Sequence, residues 1–327
     1  MNNPSIVFES EWLGQPAYTL ETPALRLVTT PTIGAKIVSI FDKQAKHEWL
    51  IPPPGRPFQP LEYGAVFVKQ DMSGWDEMMP TIDACEYPIA GAFSGAHLPD
   101  HGEVWALPWT VTGVQHDSLS LAVDGRALPY HFTRTIRVLD ANTLRFAYEV
   151  SNTANETIVV LWAAHPQFKV DSDTRVVLPT NVKTVRNILT LDAWGAVGTP
   201  HDWPTAHTMQ GEPFDLDRVR DATHHSHRKF YLPPDQPAAW AGLLQETAGQ
   251  WLRLSWNPDQ VPYLGLWFDE GSVSPLATMA FEPATGYYDK LPRAWENQRL
   301  TRLPPNATFE WHLDIQIGTG AQTLGNP

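Results

Sequence analysis

Tyr130-His-Phe-Thr-Arg-Thr-Ile-Arg-Val138, Leu139-Asp-Ala-Asn142 and, after Thr143, Leu144-Arg-Phe-Ala-Tyr-Glu-Val150 form the stretch on which the fold turns. Both outer segments set apolar residues at every second position, the period of a strand with one face buried. The short polar connection between them reads as a hairpin, which makes them antiparallel neighbours. Working outward, residues 119–123 alternate in the same way. Further strands are expected at 35–41, 158–163, 251–256, 264–268, 278–281 and 309–317, spread from end to end with no linker between them.

Thirty prolines and 21 glycines punctuate the chain between short apolar runs, leaving little uninterrupted room for long helices. The alternating strand and helix blocks of a parallel α/β sheet are missing, as are G-x-G-x-x-G, the P-loop pattern, G-x-S-x-G and H-E-x-x-H. No repeat in the range of solenoids or propellers is visible. The fold class expected is therefore all-β, a large antiparallel β-sandwich. A length of 327 residues would accommodate two domains or one large sandwich, and the even spread of strands favours a single domain over 1–327. The polar, histidine-bearing segment 200–235 is expected to form long loops over one edge.

Hydrophobic residues make up 43% and charged residues 18% of the chain, a globular composition. The net charge of −13 repels phosphate backbones and anionic lipid, so neither nucleic acid nor a membrane surface is an expected partner. No apolar run is long enough for a membrane helix, and the opening residues show no basic-then-apolar leader. The single cysteine, Cys85, cannot close an intramolecular disulfide and is read as a buried, inert thiol. A cytoplasmic location is expected, and the Asn-x-Thr matches at Asn155 and Asn306 are then not glycan acceptors.

Fourteen tryptophans and nine tyrosines exceed what core packing demands, and Trp75, Trp105, Trp109, Trp267 and Trp295 lie beside Gly, Pro or acidic residues. Flat aromatic faces complement the C–H face of a pyranose while carboxylates, amides and imidazoles bind its hydroxyls, so an acidic, Trp-rich cleft points to a sugar. Three segments join turn formers to groups able to move protons: Ser73-Gly-Trp-Asp-Glu-Met-Met-Pro-Thr-Ile82, Leu98-Pro-Asp-His-Gly-Glu-Val-Trp105 and Ala163-Ala-His-Pro-Gln-Phe168. A fourth, Met279-Ala-Phe-Glu-Pro-Ala-Thr-Gly-Tyr-Tyr-Asp289, follows an apolar run. His165 and Glu282 each end an apolar strand in this reading. Burial there lowers an imidazole pKa and a nearby carboxylate raises it, which would leave His165 poised near neutrality.

The four segments, in this order and followed by Leu303-Pro-Pro-Asn-Ala-Thr-Phe-Glu-Trp-His-Leu-Asp-Ile315, resemble the aldose 1-epimerase (galactose mutarotase-like) superfamily and its relatives acting on hexose 6-phosphates. The resemblance covers most of the chain and implies the large sandwich of that superfamily. It makes Glu282 the general base, His165 the general acid and His101 a second histidine that steadies the sugar. It places Asp76 and Glu77 in the pocket, and Trp75, Trp105, Gln167, Trp267 and Asp289 complete the expected sugar-binding set. The implied activity is interconversion of the α and β anomers of an aldose, with a small sugar as substrate and no metal or redox cofactor. The chain departs from the galactose mutarotases at Ala164-His-Pro-Gln-Phe168, where Asn-His-x-Tyr-Phe is usual. A phosphate-using relative would need an arginine cluster, for which Arg134, Arg137 and Arg186 are candidates. His224, His225 and His227, with His201 and His207, are read as loop surface, since zinc patterns with cysteine or a His-Glu helix are missing. Two other readings stand beside the favoured one: a carbohydrate-binding protein of this fold without turnover, and an epimerase acting on a hexose 6-phosphate or a uronate.

Overall fold

The alternating stretch at 130–150 forms the hairpin it predicts: Tyr130–Val138 pairs antiparallel with Thr143–Asn152, setting Val138 opposite Leu144. Phe132, Arg134, Ile136, Leu144, Phe146, Tyr148 and Val150 are buried, and the residues alternating with them look outward. The computed structural model describes residues 6–325. In it the hairpin sits in an eight-stranded sheet whose order is Thr174–Val177, Trp240–Gln245, Gln250–Trp256, Thr308–Thr319, Thr143–Asn152, Tyr130–Val138, Ser118–Asp124 and Thr110–Val114. One-sided burial of each strand demands a partner layer.

That layer is a 13-stranded sheet. Its middle runs Lys36–Asp42, Trp75–Met78, Ala163–Pro166, Ala277–Ala284, Tyr263–Glu270, Ser226–Tyr231. The core between the sheets draws on residues from Leu20 to Ile317, with Trp162, Tyr148, Phe132 and Trp311 packed ring to ring. The large antiparallel β-sandwich expected from the sequence is thus present. Among the described residues no helix is long and apolar enough to cross a membrane.

Three local expectations need correction. Residues 158–163 do not make one strand: Ile158–Val160 pairs with Thr301–Leu303, and the chain enters the large sheet only at Ala163. The break lies at Leu161 and Trp162, whose amides donate to Pro80 O and Thr285 Oγ1 instead of to a ladder. Glu282 does not end its strand but lies inside Ala277–Ala284. The 200–235 segment carries four strands, Pro200–Asp202, Thr205–His207, Pro213–Asp215 and Ser226–Tyr231, the last an interior member of the large sheet.

Candidate active site

Five interior strands of the large sheet bring one row of side chains together on the face away from the second sheet. Ala163 pairs with Ala284 and Phe168 with Met279, a register that sets His165 beside Glu282. Glu282 is opposite Gly265, Gly265 opposite Tyr231, and His165 opposite Asp76 on its other side. Side chains directly opposite on neighbouring strands share a face, so Asp76, His165, Glu282 and Tyr231 lie in line. Gly265 leaves a gap that Glu282 fills: a Cβ there would come 3.1 Å from Glu282 Oε2 and 3.2 Å from the Tyr231 ring. The next row holds Lys229 opposite Trp267.

Above the rows is a cavity of about 510 Å³ with His101, His165, Gln167, Lys229, Trp267, Glu282 and Asp289 in its wall. His165 Nε2 is 3.8 Å from Glu282 Oε1, and the Gln167 amide is 3.3 Å from the same ring nitrogen, where it can donate to the neutral imidazole. Thr278 Oγ1 donates to Gln167 Oε1 and fixes that amide. The Lys229 ammonium lies 2.7 Å from Glu282 Oε2 and 3.1 Å from Asp289 Oδ1. Tyr231 Oη donates to Asp289 Oδ1 at 2.9 Å.

His101 arrives on a turn. Its φ is 58° and that of Gly102 is 71°, and a Cβ on Gly102 would sit 2.2 Å from Met79 O, so glycine is required there. Asp100 Oδ1 is 3.0 Å from His101 Nδ1, and Asp100 Oδ2 accepts from the Phe67 amide at 2.8 Å. Burial would raise Asp100, but these bonds outweigh it and hold the carboxyl below its usual range. The Phe67 ring stacks on His101 at 4.1 Å and meets His165 edge-on at 5.0 Å, walling the imidazoles from water.

The Glu282 carboxyl is pushed the other way. Glu282 is raised to about 7 by burial, against the pull of Lys229, with Asp289 and Asp83 adding to the rise. His165 is driven well below its ordinary value by burial first, then by His101, Lys229 and Lys36. The expectation from the sequence is that a neighbouring carboxylate offsets burial and leaves this imidazole near neutrality; instead burial prevails and no carboxylate offsets it. Near pH 7 His165 is neutral, and the Glu282 carboxyl is the group that titrates there.

The structure divides the other expected residues. Gln167, Trp267 and Asp289 line the cavity together with His101, His165 and Glu282. Asp76 shares the face of His165 but is sealed beneath it, with Lys36 Nζ 3.0 Å away and Asp71 holding the same ammonium. Glu77 points to the opposite side, into the core between the sheets, because neighbours in a strand face opposite ways. There it accepts from Arg134, Tyr148 and Trp162. Trp75 faces the core as well, against Phe146 at 5.2 Å. Trp105 stands behind the cavity, its indole N–H donating to Asp100 O and Gly102 O and its ring bracing Phe67.

The three arginines considered for phosphate do not gather. Arg134 is buried against Glu77, Arg137 is exposed on the other sheet, and Arg186 lines a separate hollow with Tyr287, Tyr288 and Arg299. His201, His225 and His227 are spent on Trp194 O, Gly271 O and Ser272 Oγ. Among the described residues no group of three or more possible ligands gathers to hold a metal ion. Lys229 escaped sequence reasoning because its strand was read as loop. The signal was the apolar run Phe230-Tyr-Leu232 directly behind it.

The sandwich thus sets an imidazole and a carboxylate 3.8 Å apart in the wall of a cavity of about 510 Å³ on the outer face of its larger sheet. Residues 82–310, more than half of the chain, match the aldose 1-epimerase family, and the chain belongs to that family. Among solved structures it is similar to a galactose mutarotase-like protein of Lactobacillus casei, 17% identical over 92% of this chain and 100% of that one, with a TM-score of 0.67. It is similar too to a galactose mutarotase related enzyme of Lactobacillus acidophilus, 15% identical over 93% and 97% of the two chains, TM-score 0.67. A galactose mutarotase-like protein of Clostridium acetobutylicum gives 14%, 97%, 100% and 0.66 for the same measures. At these identities the likeness is one of fold. No curated protein is significantly similar in sequence.

Proposed function

We propose that the protein is an aldose 1-epimerase that interconverts the anomers of an uncharged aldose, working as one unit over the whole chain. The observation that carries this reading is the 3.8 Å approach of His165 Nε2 to Glu282 Oε1 inside the cavity, a spacing suited to the two oxygens borne by one anomeric carbon. Glu282 Oε1 takes the proton of the C1 hydroxyl; the O–H pair becomes the second C1–O1 bond. The C1–O5 bond breaks with its electrons going to O5, which takes a proton from His165. Rotation about C1–C2 and the reverse steps deliver the other anomer, and no electrons leave the sugar.

The proton count follows from the two shifted groups. Below about pH 7 the pair holds one proton, resting mainly on Glu282; the working arrangement has it on His165. Above about 7 that proton is lost. Asp83, Asp100, Glu282 and Asp289 around the single ammonium of Lys229 favour an uncharged sugar over a phosphate or a uronate. Trp267 supplies the aromatic wall. Its one cysteine is free and half-buried, in keeping with a reducing compartment, and we place the enzyme in the cytoplasm.

Polarimetry on freshly dissolved α-glucose and α-galactose tests the proposal, with calorimetric binding of the same sugars alongside. Faster mutarotation than buffer alone is expected. Binding without acceleration would make the protein a sugar receptor on an enzyme's fold.

A further inference from the structure

Glu282 is held by one oxygen and works with the other. Oε2 lies 2.7 Å from Lys229 Nζ, while Oε1 faces His165. The missing side chain at Gly265 is what lets Oε2 reach the ammonium, since a Cβ there would stand 3.1 Å from it. Lys229 does not depend on Glu282 alone, because Asp289 Oδ1 is 3.1 Å away and is itself fixed by Tyr231. Burying an ammonium costs several kcal/mol in general, and a purely structural role would be served as well by apolar packing. This ammonium instead lines the cavity, wedged between two carboxylates that line it too.

We propose, on the reading of the site given above, that Lys229 is a positioning residue for the proton transfer: it anchors Oε2 so that Oε1 alone is presented to the sugar, and Asp289 keeps the ammonium in place while Glu282 is protonated. The charged and titratable groups facing Glu282 are Lys229 and Tyr231 from one strand, His165 from another, and Asp83, His101 and Asp289 from the surrounding turns. Lys229 is the fixed cation among them. Its loss leaves Glu282 free to turn and surrounded by like charge, so the carboxylate would hold its proton to higher pH.

The test is the pH profile of kcat/KM in Lys229→Met, Lys229→Arg and Asp289→Asn. In Lys229→Met the limb near 7 should move up by one unit or more, the general effect of removing an opposite charge, and kcat should fall about 10²-fold, the general effect of a misplaced group. Lys229→Arg, which keeps the charge, should return the limb toward its wild-type position. Asp289→Asn removes a like charge and should move the limb down, an outcome that does not depend on Lys229→Met folding. A limb unmoved in folded Lys229→Met, no difference between Met and Arg, or an upward shift in Asp289→Asn would each overturn the assignment. Should the wild-type protein not accelerate mutarotation, the proposed activity fails, yet carbon NMR titration of the Glu282 carboxyl in wild type and Lys229→Met still decides the role of Lys229, an unmoved titration refuting it.

Discussion

Glu77 and Glu282 are both wholly buried glutamates on interior strands of the same sheet, and the protein treats them in opposite ways. Glu77 faces the core between the sheets, where Arg134, Tyr148 and Trp162 occupy both of its oxygens. Glu282 faces outward, where Lys229 occupies one oxygen and the other meets only a neutral imidazole at 3.8 Å. A carboxylate with both oxygens engaged is a fastener. One with an oxygen left over has something to offer a substrate, and the structure leaves that oxygen beneath the cavity.

Substitutions can break this contrast. The largest effect is expected for Glu282→Gln, which should lower kcat by about 10⁴ while the sugar still binds, since the amide keeps the shape but accepts no proton. The same variant should be more stable than wild type at alkaline pH. A carboxyl whose folded pKa is raised to about 7 contributes stability below its unfolded pKa and loses it as pH rises through 7. Thermal unfolding at pH 6 and pH 8 should show the advantage growing with pH. Near-normal turnover would remove Glu282 from the chemistry.

Glu77→Gln should do the reverse. It strands the Arg134 guanidinium in the core and should cost about 3–5 kcal/mol of stability, the usual penalty for breaking a buried pair from one side; urea unfolding reads it directly. Catalysis per folded molecule should be little changed.

Next in size is His165→Asn, with kcat expected to fall by about 10², the lower end for loss of a general acid. In the wild-type protein kcat/KM should decline as pH rises through about 7, because the proton shared by Glu282 and His165 is lost there. A rate that climbs through 7 would transfer the acid role to His101, whose Nδ1 lies 3.0 Å from Asp100 Oδ1. His101→Asn would then outweigh His165→Asn.

The smallest effect is expected for Gly265→Ala. The new methyl group would press on Glu282 Oε2 and on Tyr231, at 3.1 and 3.2 Å, and should slow turnover about tenfold by tilting the carboxylate. An unaltered rate would show that the carboxylate tolerates the shift.

The sandwich was legible because strands such as Tyr130–Val138 bury one face and expose the other, which writes itself into the sequence as alternation. His101, His165 and Glu282 were legible through the order of four short segments. Asp76 and Glu77 were not separable, since a motif reads them as a pair while a strand sends one to each face. Lys229 was hidden for a related reason. Both faces of Ser226–Tyr231 are covered, one by the core and one by the cavity, so the strand shows Arg228, Lys229, Phe230 and Tyr231 in succession, all buried, with no alternation. Burial of a charge by its partners leaves no trace in hydropathy.

The row from Asp76 through His165, Glu282 and Gly265 to Tyr231 belongs to interior strands, whereas Phe67, His101 and Val273 reach the cavity from outside them. This divides labour between scaffold and rim. On the proposed function, mutational drift in the connecting segments can reshape which sugar is admitted while the proton path stays registered to the sheet. New specificities are thereby open to this fold at little risk to its chemistry.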